Sequence, residues 1–498
     1  MKTLVIAEKP SVARDIARVL GCAKKENGAL EGNQYIVTWA LGHLVTLKDP
    51  EDYDKKYKEW NMAVLPMMPE KLQIKVIPQT GKQYHAVTTQ LARKDVGEVV
   101  IATDAGREGE LVARWILDKA HNQKPCKRLW ISSVTDKAIR EGFASLKDAK
   151  EYDNLYRAAV SRAEADWLVG INATRALTCK YNAQLSCGRV QTPTLAMIAQ
   201  REQEIREFVP KPYYTVTAAA GGAVYTWKDE KSGGTRISDP EKAKQIAEKA
   251  KRYPLVLQKV EKKKKQKEAP LLYDLTELQR DASARFGYSA KQTLNLMQSL
   301  YETHKVLTYP RTDSRYLTKD IVPTLKERLD AVSIGPYKTL AQQAKRRPLK
   351  EKPGFVNDAK VSDHHAIIPT EQYVQLSALS NEERRIYDLV VRRFLAVLLP
   401  PCVYEETVIQ ASIEKECFTA RGKRMVEKGW QEAYEDNRYD DEDEAKEEVR
   451  EQNLPLLQAG MKFDQSKISL REGKTKPPAR FTEGTLLSAM ETAGKDDM

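Results

Sequence analysis

Tyr309 is the residue whose neighbours best equip it for chemistry. It lies in the run LTYPRTDSRY (307–316), two positions before Arg311. A phenol is a poor nucleophile at neutral pH because its ordinary pKa is about 10. A nearby guanidinium stabilises both a developing phenolate and a phosphate under attack. The pair suits covalent catalysis on a phosphodiester, although a buried structural tyrosine in a proline-containing turn is the better interpretation of this stretch alone.

The run YPRTDSRYL resembles the active-site tyrosine motif of type IA DNA topoisomerases, and the proline after the tyrosine resembles their topoisomerase III branch. Five further runs match the same family in the same order, to about residue 490. They are IAEKPSVA (6–13), TDAGREGE (103–110), CGRVQTPTL (187–195), DLTELQRDASARFGYSA (274–290) and DHHAIIPT (363–370). Several motifs in one order are far more specific than a single short motif. The resemblance implies a multidomain toroid with a central hole.

The first of these domains resembles a Toprim fold, a metal-binding module of topoisomerases and bacterial primases. The resemblance implies that Glu8 and Asp104 hold Mg²⁺, with Glu108 as a further ligand, because Mg²⁺ takes oxygen ligands and keeps several waters. Gly106 stands where most members of the family carry a second aspartate. The loss of that carboxylate predicts weak Mg²⁺ binding.

Two more active-site roles follow from the resemblance. Lys9, beside Glu8, matches the lysine that reaches the scissile phosphate, where it neutralises charge or protonates the leaving oxygen. His364 matches a histidine that supports the site by hydrogen bonding, whereas the adjacent His365 is not assigned a role. Judged on the sequence alone, a lysine beside a glutamate is usually a surface pair.

The resemblance also implies a groove for single-stranded DNA. Arg162 and Asp166 lie in RAEAD, and Arg189 and Gln191 lie in CGRVQ. Arg189 is expected to hold a backbone phosphate, and Asp166 and Gln191 to touch base edges. The alternative for Asp166 is an ion pair with Arg162 four residues earlier on one helix.

The pattern of apolar residues predicts an α/β Toprim domain followed by helical and β-rich domains. TLVIAE (3–8), EVVIATD (98–104) and RLWISS (128–133) predict strands that alternate with helices, which indicates a parallel, doubly wound sheet. The predicted domains are 1–150 (Toprim), 151–210 with 431–498 (helical DNA groove), 211–270 with 385–430 (β-rich bridge) and 271–384 (helical, carrying Tyr309).

Composition narrows the class of protein. The chain has 498 residues and a formal net charge of +12, which favours a polyanionic partner. Lysine-rich runs at 261–267 and 345–352 either follow a phosphate backbone or lie in solvated loops. The six cysteines include no C-x-x-C pair, so we expect neither a zinc ribbon nor a disulfide framework, and we expect a reducing cytoplasm. We expect no secretory signal and no membrane span.

Two segments near the C-terminus have distinct patterns. Residues 436–448 are strongly acidic and predict a solvated loop or a flexible connection. The run that begins at Arg480 predicts a helix with Thr482 as N-cap and with Leu486, Leu487 and Met490 on one apolar face. Because the related enzymes continue beyond this point, we expect a fragment or a truncated paralogue.

The function predicted from the resemblance is ATP-independent cleavage of one DNA strand through a 5′-phosphotyrosine, followed by strand passage and religation. Single-stranded DNA and underwound duplex DNA are the expected partners, and a monomer associated with the nucleoid is the expected state. No G-x-x-x-x-G-K-[ST] loop occurs in the sequence, which agrees with independence from ATP. Two alternatives stay open: a Toprim primase or nuclease, and a noncatalytic or cleavage-only DNA-binding fragment.

Overall fold

The computed structural model describes residues 1–348, 354–434, 449 and 451–493. The helices are α1 (Pro10–Val19), α2 (Gly81–Leu91), α3 (Arg107–Lys119), α4 (Asp136–Ala144), α5 (Asp153–Tyr181), α6 (Gln191–Glu207), α7 (Pro240–Arg252), α8 (Leu275–Phe286), α9 (Ala290–Glu302), α10 (Leu325–Val332), α11 (Lys338–Arg346), α12 (Asn381–Leu398) and α13 (Glu483–Thr492). The strands of the first domain are β1 (Lys2–Ala7), β2 (Lys24–Glu26), β3 (Ala29–Glu31), β4 (Tyr35–Trp39), β5 (Val45–Leu47), β6 (Ile74–Val76), β7 (Val96–Ala102), β8 (Cys126–Arg128) and β9 (Lys147–Asp148). The later strands are β10 (Pro212–Ala220), β11 (Ala223–Trp227), β12 (Leu255–Lys267), β13 (Cys402–Ile413), β14 (Glu416–Glu427), β15 (Glu451–Gln452), β16 (Lys462–Phe463) and β17 (Lys467–Lys474).

The first domain is built on a sheet with the strand order β2-β3-β4-β1-β7-β8-β9. The central strands β4, β1, β7 and β8 are parallel, whereas the strands toward both edges pair antiparallel. The predicted parallel sheet is therefore correct for the centre and wrong for the edges. The predicted strand 128–133 is also wrong, because β8 ends at Arg128 and the chain then turns toward the helical domain.

Helices cover both faces of this sheet, which explains why its central strands are continuously apolar. Leu4 and Ile6 of β1 pack into a core with residues of α2, α3 and α5. Val5 and Ala7, which point to the other face, pack with residues of α1 and α4. Tyr309 belongs to this second core although it lies far along the chain.

A second sheet, which is mainly antiparallel, forms the β-rich part, in the order β16-β12-β13-β14-β11-β10-β17 with β15 beside β14. The lysine-rich run near 261–267 lies on strand β12, not in a loop, and pairs along its length with β13. Lys265 forms an ion pair of 2.5 Å with Glu406 of β13. The opposite charges on the neighbouring strand partly neutralise the run, which weakens its interpretation as a dedicated phosphate track.

The helical domain that carries Tyr309 has its own apolar core, formed mainly by α8 to α12 and the segments between them. Helix α12 begins at a capping box in which Ser380 and Glu383 bond each other's backbone N–H groups. Because α9 ends at Glu302 only seven residues before Tyr309, this core fixes where the tyrosine emerges.

Helices α5, α6 and α13 form the remaining part. Helix α6 has no buried residue, and α13 packs against α8. The predicted N-cap is confirmed, because the Thr482 side chain accepts the backbone N–H of Thr485. The acidic run 436–448 lies outside the described residues, and the domain boundaries remain predictions. Across the described ranges, no helix combines the length and the apolar character needed to cross a membrane.

Candidate active site and nucleic-acid groove

Glu8 and Asp104 lie together at one edge of the first sheet. Strands β1 and β7 are parallel neighbours with Ala7 opposite Ala102, so the residues that follow them meet at their carboxyl ends. The backbone N–H of Asp104 donates a hydrogen bond to Glu8 Oε2 at 3.1 Å. Burial, together with the charge of Glu8, raises the pKa of Asp104 to about 7. A pair of carboxylates held this close is poised to accept a cation.

The glycines after Asp104 have different structural roles. A Cβ on Gly109 would lie 1.9 Å from the carbonyl oxygen of Asp104, so only glycine permits this close approach. A Cβ on Gly106 would meet nothing within 4 Å, and Gly106 is the N-cap of α3. Position 106, where the family resemblance led us to expect an aspartate, is therefore open to a larger side chain.

Arg128, which the sequence analysis did not single out, holds the backbone of this loop. Its guanidinium is fully buried and donates to the carbonyl oxygens of Thr103 and Asp104, each at 2.7 Å. Its Nε lies 2.5 Å from Glu110 Oε1, an ion pair whose atoms are not aligned as a hydrogen bond. Burial lowers the pKa of Arg128, and the charge of Glu110 opposes that shift. Glu110 is thus a partner of Arg128.

Tyr309 is buried, with 6% of its surface exposed, between the first domain and the helical domain. Its backbone N–H donates to the carbonyl oxygen of Ser132 at 2.9 Å. Its ring lies 5.4 Å from the ring of Tyr301, edge to face, and 4.5 Å from the ring of His364, measured between centroids. Groups from both domains therefore hold the phenol in one orientation.

The electrostatic surroundings of Tyr309 are mixed. Burial, followed by the charges of Asp104 and Glu8, raises the pKa of the phenol, whereas the charge of Arg311 lowers it. Arg311 is exposed, and in the described part of the chain it makes no ion pair or hydrogen bond. Its guanidinium is therefore free to meet an incoming anion.

His364 is held by the first domain although it belongs to the helical domain. Its Nε2 donates to the carbonyl oxygen of Ala105, so its Nδ1 is the acceptor in the neutral ring and faces Ser132 Oγ at 3.0 Å. Burial lowers the pKa of His364 to about 4, which keeps the ring neutral at physiological pH. These hydrogen bonds require the tautomer of His364 that carries its proton on Nε2.

Lys9 lies at the same edge and reaches across to the helical domain. Its Nζ is 2.5 Å from Glu302 Oε1. Burial alone would lower the pKa of Lys9, but the hydrogen bond with Glu302 and the charges of Asp104, Glu302 and Glu8 raise it overall. Lys9 therefore remains a cation at neutral pH.

These contacts form part of a larger boundary between the first domain and the helical domain, which we call the gate interface. It consists of Tyr309 with Ser132, His364 with Ala105 and Ser132, Lys9 with Glu302, Lys305 with Asp15 (2.7 Å) and Lys137 with Glu327 (2.5 Å). Apolar packing also joins the two domains, because Tyr301 and Tyr309 lie in the core that covers one face of the first sheet.

Glu108 lies on the first turn of α3 and pairs with residues on the groove side. Its carboxylate lies 3.5 Å from His43 Nε2 and 3.7 Å from a guanidinium nitrogen of Arg162. Within the ranges that the structure describes, no three histidine, cysteine, aspartate or glutamate side chains are grouped as a metal site. The role of Glu108 as a metal ligand stays a prediction, and its side chain would have to leave His43 and Arg162 to take it.

The predicted groove residues are exposed and lie on α5, in the loop before α6 and at the start of α6. Arg189 Nε lies 2.7 Å from Asp166 Oδ1, so Asp166 pairs with Arg189 and not with Arg162. The hydrogen bond from Arg189 lowers the pKa of Asp166. Gln191 is exposed as the first residue of α6. Arg189, which is expected to hold a phosphate, is therefore paired with the carboxylate of Asp166.

Four residues of the site were missed by the sequence analysis. Arg128, Trp130, Tyr301 and Glu302 all act through contacts between segments far apart in sequence. The only local signal was the nearness of Tyr301 and Glu302 to the tyrosine motif, and an isolated aromatic–acidic pair is common on any helix.

Comparison with known proteins decides the family. A Toprim domain model matches residues 3–134, and a model described as DNA topoisomerase matches residues 150–494. The chain belongs to the type IA DNA topoisomerases. DNA topoisomerase 3 of Bacillus subtilis (strain 168) is 59% identical over 490 residues, covering 98% of this chain and 67% of that protein. DNA topoisomerase 3 of Bacillus anthracis is 59% identical over 495 residues, covering 99% and 68%.

This topoisomerase is therefore an isomerase of the topoisomerase III type, and it spans about two thirds of the length of those relatives. Full-length topoisomerase I from Thermotoga maritima has a similar structure, with a TM-score of 0.74 at 23% identity over 99% of this chain and 75% of that one. At that level of identity the likeness establishes the topoisomerase fold. The two family matches cover both sides of the gate interface.

Proposed function

We propose that Tyr309 is the nucleophile of this topoisomerase. Its phenolic oxygen attacks a backbone phosphorus, the bond from phosphorus to the 3′ oxygen breaks, and the protein becomes joined to the 5′ phosphate. The phenol loses one proton and the leaving 3′ oxygen gains one, so the step balances without a further reactant. The observation that carries the proposal is the position of Tyr309 at the gate interface. There its phenol is close enough to Glu8, Asp104 and Arg311 for their charges to shift its pKa.

Two cations suit the phosphate. Arg311 is exposed and free of a protein partner in the described ranges, and Lys9 stays protonated because its surroundings raise its pKa. We assign both to the nonbridging oxygens, where fixed positive charge stabilises the pentacovalent transition state. A raised pKa makes Lys9 a weaker acid, so charge stabilisation is its main role and proton donation the lesser one.

Religation reverses the same step, because the energy of the broken bond is kept in the tyrosyl ester. ATP is therefore not required. Between cleavage and religation the gate interface separates and lets another strand pass, which relaxes negative supercoils or decatenates DNA. The raised pKa of Tyr309 keeps the phenol protonated in the resting site. The phenol is therefore unreactive until a phosphate is bound beside Arg311 and Lys9.

Glu8 and Asp104 fit a Mg²⁺ ion that is held by two carboxylates and completed by water or phosphate oxygens. The raised pKa of Asp104 supports this assignment, because the positive charge of a metal ion would relieve the repulsion between the carboxylates of Glu8 and Asp104. When bound, such an ion supplies charge neutralisation and alignment of the 3′ end. Glu108 is a further candidate ligand, and because Gly106 stands in place of a carboxylate, binding is expected to be weak.

We further propose that Arg162, Asp166, Arg189 and Gln191 bind the single strand that leads to the site. Arg162 contacts Glu108, which lies four residues after Asp104, so the groove adjoins the carboxylate edge. The preferred partners are single-stranded and underwound duplex DNA, and the acting form is a monomer in the cytoplasm that associates with the nucleoid. A net charge of +12 supports a polyanionic partner.

A denaturing gel tests this proposal. Wild-type protein is mixed with a single-stranded oligonucleotide that carries a label at either end, and the reaction is stopped with denaturant. The 3′-end label should move with the protein and the 5′-end label with a free fragment, and Tyr309→Phe should give neither product. A Toprim nuclease would cut without an adduct, and a noncatalytic DNA-binding fragment would bind without cutting.

A further inference from the structure

Trp130 links the first domain to the candidate nucleophile through a series of ring contacts. Its indole is stacked on Tyr152 within the first domain, with centroids 4.6 Å apart and planes at 17°. It is also stacked on His364 across the gate interface, at 5.7 Å and 15°. The ring of His364 in turn lies 4.5 Å from the ring of Tyr309.

The contacts that orient His364 come from the first domain. Its two nitrogens face Ala105 and Ser132, and Trp130 stacks on the ring. The indole Nε1 also donates to the carbonyl oxygen of Asp363 at 3.1 Å, which fixes the backbone just before His364. Trp130 itself is anchored, because the guanidinium of Arg128 lies 5.1 Å from its ring centroid.

We infer that Trp130 is a positioning residue for Tyr309, acting through His364 and only while the gate interface is closed. His364 and Tyr309 belong to the helical domain and Trp130 to the first, so separation of the interface breaks the Trp130–His364 stack. Closure restores the stack and returns the ring of His364 to the angle at which it packs on Tyr309. Alignment of the nucleophile is thereby coupled to closure, and the inference rests on the proposed role of Tyr309.

The consequence is a defect in rate that is separable from DNA affinity. Trp130 is not among the groove residues, so its loss should leave the Kd for a single-stranded oligonucleotide within about twofold of wild type. Loss of one aromatic stack should slow single-turnover cleavage roughly tenfold. Religation after closure should slow by a similar factor, because the same alignment is needed in both directions.

The test uses three variants of the full chain in a single-turnover cleavage assay. Trp130→Leu keeps an apolar side chain but removes the stack, and Trp130→Phe keeps a ring but removes the indole N–H. Phe143→Ala is the matched control, because Phe143 is another partly buried aromatic of the first domain, packed on Tyr35 at 5.7 Å. We expect a slow Leu variant, a Phe variant within about threefold of wild type, and a control that loses thermal stability without losing rate.

Each contrary result has a distinct meaning. A Trp130→Leu rate within twofold of wild type, a Phe variant as slow as the Leu variant, or an equal rate loss in Phe143→Ala would overturn the positioning role. Absence of any adduct with the wild-type protein would instead contradict the proposed role of Tyr309. Because leucine fills the site without a cavity as large as alanine would leave, the Leu and Phe variants provide the comparison even where Trp130→Ala fails to fold.

Discussion

Lys9 and Glu302 are 293 positions apart in the sequence, yet Lys9 Nζ lies 2.5 Å from a carboxylate oxygen of Glu302. The pair joins the end of β1 to the end of α9, one on each side of the gate interface. It holds a cation near Asp104 and Glu8 in the absence of DNA. A phosphate that enters the site must compete with Glu302 for this cation.

Removal of either partner of this pair should have unequal effects. Lys9→Ala should slow adduct formation roughly 100-fold, because it removes a charge that acts on the transition state. Glu302→Gln should leave the rate within about threefold of wild type, since Lys9 remains available to the phosphate. Single-turnover rates on one oligonucleotide measure both effects. A larger defect in Glu302→Gln than in Lys9→Ala would show that Glu302, and not Lys9, has the catalytic role.

Restoring a carboxylate at position 106 should strengthen metal binding. Gly106→Asp is sterically open, because a Cβ there meets nothing within 4 Å, and an aspartate also suits the N-cap of α3. Calorimetric titration with Mg²⁺ should show tighter binding to this variant than to the wild-type protein. In the wild-type protein, relaxation is expected to reach half its maximum at a millimolar concentration of Mg²⁺. Glu8→Ala should weaken it. Metal binding unchanged by both substitutions would show that the site lies elsewhere.

Breaking the pair of Arg189 and Asp166 should alter DNA binding in opposite directions. If roughly five phosphates are contacted, log K against log salt should have a slope of about −3.5 for a single strand. Arg189→Ala should flatten that slope by about 0.7, whereas Asp166→Asn should raise affinity by no more than about fivefold, because an exposed ion pair is worth at most about 1 kcal/mol. Fluorescence anisotropy over a salt series provides the measurement. Tighter binding to duplex than to single strand would contradict the groove assignment.

Acid should destabilise the protein through His364. In the folded chain its pKa is about 4, whereas the pKa of an unfolded histidine is about 6.5. Between these values the unfolded chain binds more protons, so the contribution of His364 to the free energy of unfolding falls as pH is lowered, by up to about 1.4 kcal/mol per pH unit.

The measurement compares wild type with His364→Gln by chemical denaturation at pH 7, 6 and 5. The variant should be less stable than wild type at pH 7, and the difference should shrink toward pH 5. Asp104 and Asp274 titrate in the opposite sense, because burial raises their pKa values to about 7 and about 6, and their effects cancel in the comparison. A difference that is independent of pH would show that His364 is not neutral and buried as described.

The sequence predicted the parts of the site that follow from local pattern and from motif resemblance. The apolar runs of β1 and β7 correctly placed Glu8 and Asp104 at neighbouring strand ends, and the Thr482 cap followed from a single N-cap rule. The prediction of a strand at 128–133 was wrong because the pairing of β8 with β7 ends at Arg128, and the apolar Leu129 and Ile131 are buried by packing on the first domain's core.

The parts that could not be predicted depend on contacts distant in sequence. The helical spacing offered Arg162 as the ion-pair partner of Asp166, but the loop before α6 brings Arg189 closer. Trp130 and Glu302 make their contacts across the boundary between two domains. The pattern of apolar residues within either segment does not predict such contacts. Glu108 follows Asp104 closely in sequence, yet the start of α3 turns its side chain to His43 and Arg162.

The most direct test of the account is identification of the residue that carries the DNA. Wild-type protein trapped on a single-stranded oligonucleotide is digested with nuclease and trypsin and analysed by mass spectrometry. Cleavage after Lys305 and Arg311 isolates the peptide 306–311, whose only tyrosine is Tyr309, whereas Tyr301 falls in the peptide 292–305. We expect the nucleotide adduct on peptide 306–311 alone. An adduct on peptide 292–305, or on any other peptide, would contradict the assignment of Tyr309 as the nucleophile.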